Sequence, residues 1–339
     1  MIIQGARQVG KTWLMKEFGR REYEQVAYIN FESSDSLKSI FQENFDVSRL
    51  ITAFQIETGI RIRPENTLII LDEIQEADRG ITSLKYFHEN APEYHIMAAG
   101  SLLGITLHEK TSFPVGKVDF LTLYPMSFNE FLLALGQEQL YELLKSNDWP
   151  MITSFKAKLT GHLRHYYFIG GMPEVVSSFI SENDFDKVRS IQKSILSSYE
   201  HDFSKHVPAE IVPRIKMLWQ SIPSQLSKEN KKFIYGVVKH GGRAKEFEIA
   251  LAWLTDCGLV HKIQRISKAA IPLIAYQDSS AFKLFILDVG LLSAMGGLTR
   301  QTILQGNSIF SEFKGALAEQ FVLQHLKTIM LKWQDCSGT

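Results

Sequence analysis

Near the start of the chain stands the stretch Gly5-Ala6-Arg7-Gln8-Val9-Gly10-Lys11-Thr12, directly after the predicted strand Met1–Gln4 and at the start of a predicted helix, Lys11–Phe18. The pattern G-x-x-x-x-G-K-[ST] between a strand and a helix is typical of a phosphate-binding loop. Its glycines let the backbone fold closely around phosphate, and its N–H groups form an anion cradle with the helix N-terminus. We expect Lys11 to reach the β- and γ-phosphates and Thr12 to offer its hydroxyl to Mg²⁺. The alternative is a glycine-containing strand-to-helix turn with a chance lysine.

A second stretch, Leu68-Ile69-Ile70-Leu71-Asp72-Glu73, is an apolar strand that ends in two adjacent carboxylates. Asp72 stands at the carboxyl end of the strand, where it is placed to hold Mg²⁺ through water. Glu73 is placed to polarise the attacking water, so we assign the catalytic roles to Glu73 and Lys11. The alternative is a loop that merely begins with exposed acids, and the phosphate-binding loop disfavours it.

The predicted strand His95–Ala99 is followed by Gly100 and Ser101. A polar residue at the tip of a strand between the two phosphate-site strands can sense the γ-phosphate by hydrogen bonding, and Ser101 fits this role. A serine that caps the next turn fits the same position equally well. Trp13, directly after the loop, completes the predicted nucleotide-binding set. The chain has no N-K-x-D stretch, which makes guanine less favoured, and no adenine-specific motif is visible either.

Short apolar runs alternate with amphipathic stretches from the start of the chain to about Leu135, the pattern of βα units around a parallel sheet. We therefore predict an α/β fold of the P-loop type. Besides the segments already named, the predicted elements are the strands Val26–Phe31 and Thr67–Leu71 and the helix Ile81–Glu89. Ser127 and Glu130 have the spacing of a capping box after Pro125, which predicts a helix that runs to Gly136.

From about Ser146 the strand signal fades, and the apolar residues Val188, Ile191, Ile195 and Tyr199 follow helical spacing. Further on, the predicted order is helix, turn, helix and hairpin, which is typical of a winged helix. Its elements are Lys231–Val238, the turn His240-Gly241-Gly242, a helix from Ala244 that Gly258 stops, and the strands Leu259–Ile266 and Phe282–Leu287. A last amphipathic helix covers Glu312–Leu331.

The chain has 339 residues, of which 37 are basic and 37 acidic, so its formal net charge is zero. No global field attracts it to nucleic acid or to an anionic membrane, and any site for a polyanion must be local. It contains only Cys257 and Cys336, too few for a disulfide framework, and no apolar run of about 18 residues that would predict a membrane span. We expect a cytoplasmic protein and, because both ends are abrupt, a fragment of a longer chain.

One local basic region lies in the predicted winged helix. Between Lys228 and Lys245 it holds six basic residues and a single acid, namely Lys228, Lys231, Lys232, Lys239, Arg243 and Lys245 against Glu229. One interpretation places the helix that starts near Ala244 in a DNA major groove, with the lysines on phosphates. The other is a protein-facing or purely structural winged helix, because one face of this helix is apolar and Glu246 and Glu248 would meet phosphate.

The chain resembles a large group of prokaryotic AAA+-like P-loop ATPases, in which an ATPase domain is followed by a domain of unknown function with a winged helix and a restriction-endonuclease-like segment. Besides the two motifs above, the matching stretches are Tyr28-Ile29-Asn30-Phe31-Glu32, Leu71-Asp72-Glu73-Ile74-Gln75, Ala99-Gly100-Ser101, Phe113-Pro114-Val115-Gly116-Lys117-Val118, Leu123–Phe131, Gly170-Gly171-Met172-Pro173-Glu174 and Phe282–Leu292. The resemblance covers nearly the whole chain.

The resemblance implies four parts. They are a P-loop ATPase domain (1–145), a helical lid or linker section (146–215), a winged-helix domain (216–300) and the start of a truncated endonuclease-like segment (301–339). It also implies Mg²⁺-dependent ATP binding and slow hydrolysis as a conformational switch. The alternative is a nucleic-acid-binding effector of the defence or mobile-element type, in which ATP binding is structural or regulatory. The candidate partners are DNA or a protein at the winged helix, and a second copy of the chain.

Two departures from the family pattern limit what the resemblance implies. Members often carry Gly-Arg where this chain has Gly116-Lys117, and lysine lacks the planar fork of an arginine finger. The endonuclease-like segment begins with the helix that holds Glu319, but no Glu-x-Lys pair follows it. We therefore expect no nuclease activity from this chain.

Overall fold

The structure, a computed structural model, describes residues 1–101, 116–228, 232–305 and 308–334. The chain divides into two compact units, Met1–Leu123 and Tyr124–Thr339. The boundary between the units falls before Ser127, whereas the predicted ATPase domain extends to residue 145. The four-part division stays a prediction. Cys336, Lys231 and Glu229 lie outside the described residues, as does the stretch 113–115 of the family pattern.

The first unit contains a five-stranded parallel sheet in the order β2-β3-β4-β1-β5. Its strands are β1 (Ile2–Gln4), β2 (Gln25–Asn30), β3 (Thr67–Asp72), β4 (His95–Gly100) and β5 (Phe120–Thr122). The four predicted strands are confirmed, and β4 lies between β3 and β1 as expected. The strand β5 was not predicted, because a strand of three residues is too short to show a periodic pattern.

Helices flank this sheet, and two of them, α1 and α5, confirm predicted segments. The helices are α1 (Lys11–Glu22), α2 (Asp35–Lys38), α3 (Ile40–Glu43), α4 (Val47–Thr58) and α5 (Gly80–Asn90), with a 3₁₀ turn at Ile74–Glu76. The helix α4 begins where the Asp46 side chain accepts a hydrogen bond from the Arg49 N–H, and it ends at Gly59 in the left-handed conformation.

The central strand β3 is buried on both faces, which fixes the position of the carboxylates at its end. Ile69 and Leu71 belong to the apolar cluster that contains Phe54. Leu68 and Ile70 belong to the cluster on the other face, which contains Met15 of α1. Burying each such side chain contributes about 1.5–3 kcal/mol. The near-continuous apolar sequence of β3 is therefore a consequence of helices on both sides of a parallel sheet.

The second unit is mainly helical. Its elements are α6 (Phe128–Ala134), α7 (Glu138–Ser146), α8 (Trp149–Ser154), α9 (Lys156–Ile169), α10 (Pro173–Glu182), α11 (Phe185–His206), α12 (Val212–Ser227), α13 (Tyr235–Val238), α14 (Ala244–Asp256), β6 (Val260–Ile266), β7 (Gln277–Ile286), α15 (Val289–Met295), α16 (Arg300–Gln305) and α17 (Ser308–Gln334). The predicted capping box of Ser127 and Glu130 is confirmed, although α6 ends at Ala134 rather than Gly136.

The predicted hairpin is also confirmed, since β6 and β7 pair in antiparallel fashion. The helix before it, α14, packs against α12, which runs across the predicted boundary between residues 215 and 216. The helix expected over Lys231–Val238 is shorter, because within the described residues only Tyr235–Val238 is helical. The winged-helix assignment of this region stays a prediction. Within the described ranges, no helix combines the length and hydropathy needed to cross a bilayer.

Candidate functional site

The loop between β1 and α1 requires glycine at two positions. Gly5 has a φ of +143°, and a Cβ atom there would lie 2.3 Å from the carbonyl oxygen of Leu123. Gly10 precedes α1 with a φ of +97° and offers no side-chain cap to the helix. The first N–H groups of α1 therefore have no side-chain acceptor from the preceding residue, which suits an anion in that place.

The ammonium group of Lys11 lies inside this loop. Its Nζ donates hydrogen bonds to the carbonyl oxygens of Gly5 at 2.9 Å and Ala6 at 2.8 Å. Lys11 is buried. Burial lowers its pKa to about 8, against the opposing effect of the nearby carboxylates of Glu73 and Asp72. Phosphate oxygens are stronger acceptors for this ammonium than neutral carbonyls, because they are charged.

This lowered pKa predicts that ATP affinity depends on pH. Below pH 8 the Lys11 ammonium is charged, and above pH 8 it loses its proton in the free protein. A bound triphosphate favours the charged form, so the pKa in the complex is higher and binding takes up a proton. The dissociation constant for ATP should therefore rise by up to about tenfold per pH unit above pH 8.

The measurement is a set of ATP titrations at intervals from about pH 7 to about pH 9.5. Lys11→Arg is the control, because arginine keeps its charge over that whole range. Whatever its affinity at neutral pH, that variant should show no comparable slope. An affinity of the parent protein that stays constant up to the highest pH would contradict the assignment of Lys11 to the phosphates.

The two predicted metal ligands meet at the carboxyl edge of the sheet. Thr12 Oγ1 donates to Asp72 Oδ2 at 2.7 Å, and the Glu73 N–H donates to Asp72 Oδ1 at 3.2 Å. Asp72 is buried. A hydroxyl and a carboxylate oxygen side by side are hard donors of the kind that Mg²⁺ prefers, with the remaining positions filled by water and phosphate. These residues therefore fit a magnesium ion.

The carboxylate of Glu73 is held on one side by three donors. Its Oε2 accepts from the Ser101 N–H at 3.2 Å, the Ser101 hydroxyl at 3.1 Å and the Gln75 side-chain amide at 2.5 Å. Glu73 itself has a φ of +50°, a left-handed conformation that costs energy for a residue other than glycine. Ser101 thus contacts the predicted base directly, while its contact with a γ-phosphate stays a prediction.

The remaining loop residues differ in their surroundings. Arg7 Nε donates to Ser101 Oγ at 3.1 Å, which links the loop to the end of β4. Ala6 and Val9 are buried, and Gln8 adopts a positive φ of 65°. Trp13 is 68% exposed, so its predicted place in the nucleotide site rests on sequence position alone.

Sequence reasoning missed two residues of this site, Tyr28 and Gln75. The Tyr28 hydroxyl donates to Asp72 Oδ2 at 2.9 Å, and Gln75 donates to Glu73 as described. Both stand inside the stretches that carry the family resemblance, and that was the only signal available. A propensity or spacing argument does not single out either side chain.

Two other residues that the sequence singled out pair elsewhere in their own units. Lys117 Nζ lies 3.6 Å from Glu89 Oε1. Lys117 lines a cavity together with Met1 and Ile96, near the amino end of the first unit's sheet. Glu319 accepts hydrogen bonds from Lys283 Nζ at 2.7 and 2.8 Å. Within the described residues, no group of three or more His, Cys, Asp or Glu side chains is arranged to hold a metal ion.

Two family models match parts of this chain. Residues 1–132 match the AAA domain family, and residues 160–302 match a domain of unknown function (DUF8612). The Walker-type ATPase PABY2304 of Pyrococcus abyssi has a TM-score of 0.53 at 12% identity, with 87% of this chain and 90% of that chain covered. The ORC2 protein of Aeropyrum pernix, in its ADPNP-ADP complexes, has a TM-score of 0.47 at 15% identity, with 90% and 87% covered. No curated protein matches the sequence. At such identities the first likeness shows the fold alone.

Proposed function

We propose that the protein binds Mg·ATP and hydrolyses it slowly as a conformational switch. In this proposal the nucleotide state changes the contacts of the C-terminal half. The match to the AAA domain family supports nucleotide chemistry, and the geometry of the site supports its individual roles.

One observation supports the proposal: groups suited to three functions needed for phosphoryl transfer lie together at one edge of the sheet. The loop N–H groups and Lys11 form an anion cradle, and the hydrogen-bonded pair of Thr12 and Asp72 is suited to Mg²⁺. Glu73 follows Asp72 directly and is held by Ser101. A chance βα turn with an isolated lysine would not place a hydroxyl in contact with a buried carboxylate and a second carboxylate beside it.

The roles follow from the chemistry of each group. Glu73 accepts a proton from, or orients, the water that attacks the γ-phosphate. Lys11 and the loop N–H groups stabilise negative charge as it develops on the phosphate oxygens. Asp72 and Thr12 would hold Mg²⁺, which neutralises charge on the β- and γ-phosphates when it is bound. Ser101 links the position of Glu73 to the end of β4.

Lys11→Ala tests the proposal. We expect this variant to lose ATP binding, because it lacks the ammonium group. In the proposed complex that group would bind phosphate oxygens in place of its two backbone carbonyl partners. The measurement is equilibrium binding of ATP with Mg²⁺ by calorimetry or by a fluorescent analogue.

Arg21→Ala is the matched control, because it removes a cation from the far end of the same helix, where Arg21 pairs with Glu17 on the surface. That variant should bind ATP as the parent does. An ATP affinity of Lys11→Ala equal to that of the parent would refute the assignment of this loop to phosphate.

The alternative function is a nucleic-acid-binding effector, and the exposed basic residues around α14 favour it. Lys232, Arg243 and Lys245 are exposed. Lys239, also exposed, follows α13, and its Nζ lies 4.0 Å from Glu246 Oε2, so an acid of α14 offsets part of the positive charge. Turnover of ATP with and without DNA separates the two functions. Strong stimulation by DNA favours the effector, and DNA-independent turnover favours the switch.

Nuclease chemistry is not part of either proposal. A metal-dependent phosphodiesterase needs carboxylates and a lysine around a divalent ion. In the described part of the chain, Glu319 is paired with Lys283 on the surface of the second unit.

A further inference from the structure

Tyr28 of β2 contacts the same carboxylate oxygen as the predicted magnesium ligand Thr12. Its hydroxyl donates to Asp72 Oδ2 at 2.9 Å, beside the 2.7 Å hydrogen bond from Thr12 Oγ1. The other oxygen, Oδ1, accepts from the Glu73 N–H. The carboxylate of Asp72 is thus fixed by donors from three different parts of the chain.

The pairing of β2 with β3 brings Tyr28 to this position. The register places Asn30 opposite Asp72 and Tyr28 opposite Ile70. Because alternate residues of a strand point to the same face, Tyr28 and Asp72 share one face of the sheet. The long side chain of Tyr28 then reaches along that face to the carboxylate at the strand end.

Two neighbours fix the ring and hydroxyl of Tyr28. Lys16 Nζ lies 3.4 Å from the centre of the ring, a cation–π contact from α1. Asn30 Nδ2 lies 3.4 Å from the hydroxyl oxygen and donates to it. Because that oxygen already accepts from Asn30, the hydroxyl proton is directed to Asp72. The Tyr28 hydroxyl is therefore held in place as a donor to Asp72.

We propose that Tyr28 is a positioning residue for the magnesium site, which holds the Asp72 carboxylate in the orientation that metal binding requires. This inference rests on the proposed function of the site as a Mg·ATP site. Ligating carboxylates depend on hydrogen-bond partners that fix their orientation, and loss of such a partner typically costs 10–100-fold in metal affinity. Tyr28 acts through Asp72 and does not itself contact nucleotide or metal.

The test is Tyr28→Phe, which removes the hydroxyl and keeps the ring and its contact with Lys16. Mn²⁺ serves as the probe, because its free concentration can be followed by electron paramagnetic resonance in the presence of a non-hydrolysable ATP analogue. We expect the affinity for Mn²⁺ to fall about 10–100-fold. Affinity for ATP in the presence of EDTA should stay unchanged, because the loop and Lys11 do not depend on Tyr28.

Tyr23→Phe is the matched control. Its hydroxyl also makes a hydrogen bond at 2.9 Å, to His95 Nδ1, and that contact lies at the start of the sheet strands rather than at their carboxyl ends. Tyr23→Phe should leave both affinities at the parent values. A purely structural role for Tyr28 would lower the melting temperature of Tyr28→Phe without changing its affinity for Mn²⁺.

The outcomes separate this inference from the function on which it rests. If the parent binds Mn²⁺ with the analogue and Tyr28→Phe binds it equally well, the role of Tyr28 is refuted and the Mg·ATP site stands. If the parent binds the analogue without any effect of Mn²⁺, the proposed function fails, and the role of Tyr28 fails with it. Loss of Mn²⁺ affinity in Tyr28→Phe alone supports the inference.

Discussion

Glu73→Gln is expected to bind ATP as the parent does while turnover falls about 10²–10⁴-fold, the usual contribution of a general base. The amide cannot accept the proton of the attacking water. Its oxygen can still accept the hydrogen bonds that Ser101 and Gln75 now donate to Glu73 Oε2, so the side chain should keep its place. The measurement is phosphate release at saturating Mg·ATP, with ATP binding determined on the same preparation.

Glu76→Gln is the control for this variant. Glu76 stands in the same 3₁₀ turn as Gln75 and carries the same charge as Glu73, but it is not among the residues of the candidate site. The Glu76→Gln variant should hydrolyse ATP within about twofold of the parent rate, a change far smaller than the loss of turnover expected when a general base is removed. Hydrolysis by Glu73→Gln at the parental rate would mean that another residue is the base.

The arrangement of the candidate site could be predicted from sequence because it depends on strand ends. Parallel strands that are buried on both faces have continuous apolar sequences, and their carboxyl ends meet at one edge. The positions of Asp72 and Ser101 at that edge follow from this rule, and the structure confirms that the strand of Ser101 lies between the other two. Local sequence also predicted the capping box at Ser127.

Contacts between distant side chains could not be predicted in this way. Tyr28 and Asp72 are 44 residues apart, and only the register of β2 against β3 brings them together. The Gln75 side chain contacts Glu73 because the chain forms a 3₁₀ turn at Ile74–Glu76. A turn of three residues has no periodic apolar pattern from which it could be predicted. The strand β5 is too short to give a pattern.

The second unit contains a similar long-range contact between two stretches of the family pattern, Gly170-Gly171 and Asp288, to which no role is assigned from sequence. Asp288 Oδ2 accepts from the Gly171 N–H at 2.6 Å, across 117 residues, and Oδ1 accepts from the Leu291 N–H at 3.0 Å at the start of α15. A Cβ atom on Gly170 would lie 2.1 Å from Asp288 Oδ1. The approach of this carboxylate therefore requires Gly170, whereas a Cβ atom on Gly171 would lie 2.0 Å from the carbonyl oxygen of Met126. Both glycines of the pattern thus have a structural reason.

Asp288→Ala is accordingly expected to destabilise the protein by about 3 kcal/mol or more. The carboxylate is fully buried, and its removal leaves the N–H groups of Gly171 and Leu291 without acceptors, each at a cost of about 1–3 kcal/mol. The hydrogen bond from the Leu291 N–H is also the N-cap of α15, so the loss of the cap is already part of this cost. The measurement is the urea midpoint of unfolding, followed by circular dichroism.

Asp186→Ala is the control, since Asp186 is an exposed acid in the first turn of α11, and its removal should leave the midpoint almost unchanged. The urea midpoint of Asp288→Asn should fall between those of Asp288→Ala and Asp186→Ala, because the amide keeps one acceptor oxygen but turns an NH₂ group towards a backbone donor. An Asp288→Ala midpoint equal to that of the parent would show that water replaces the carboxylate at no cost.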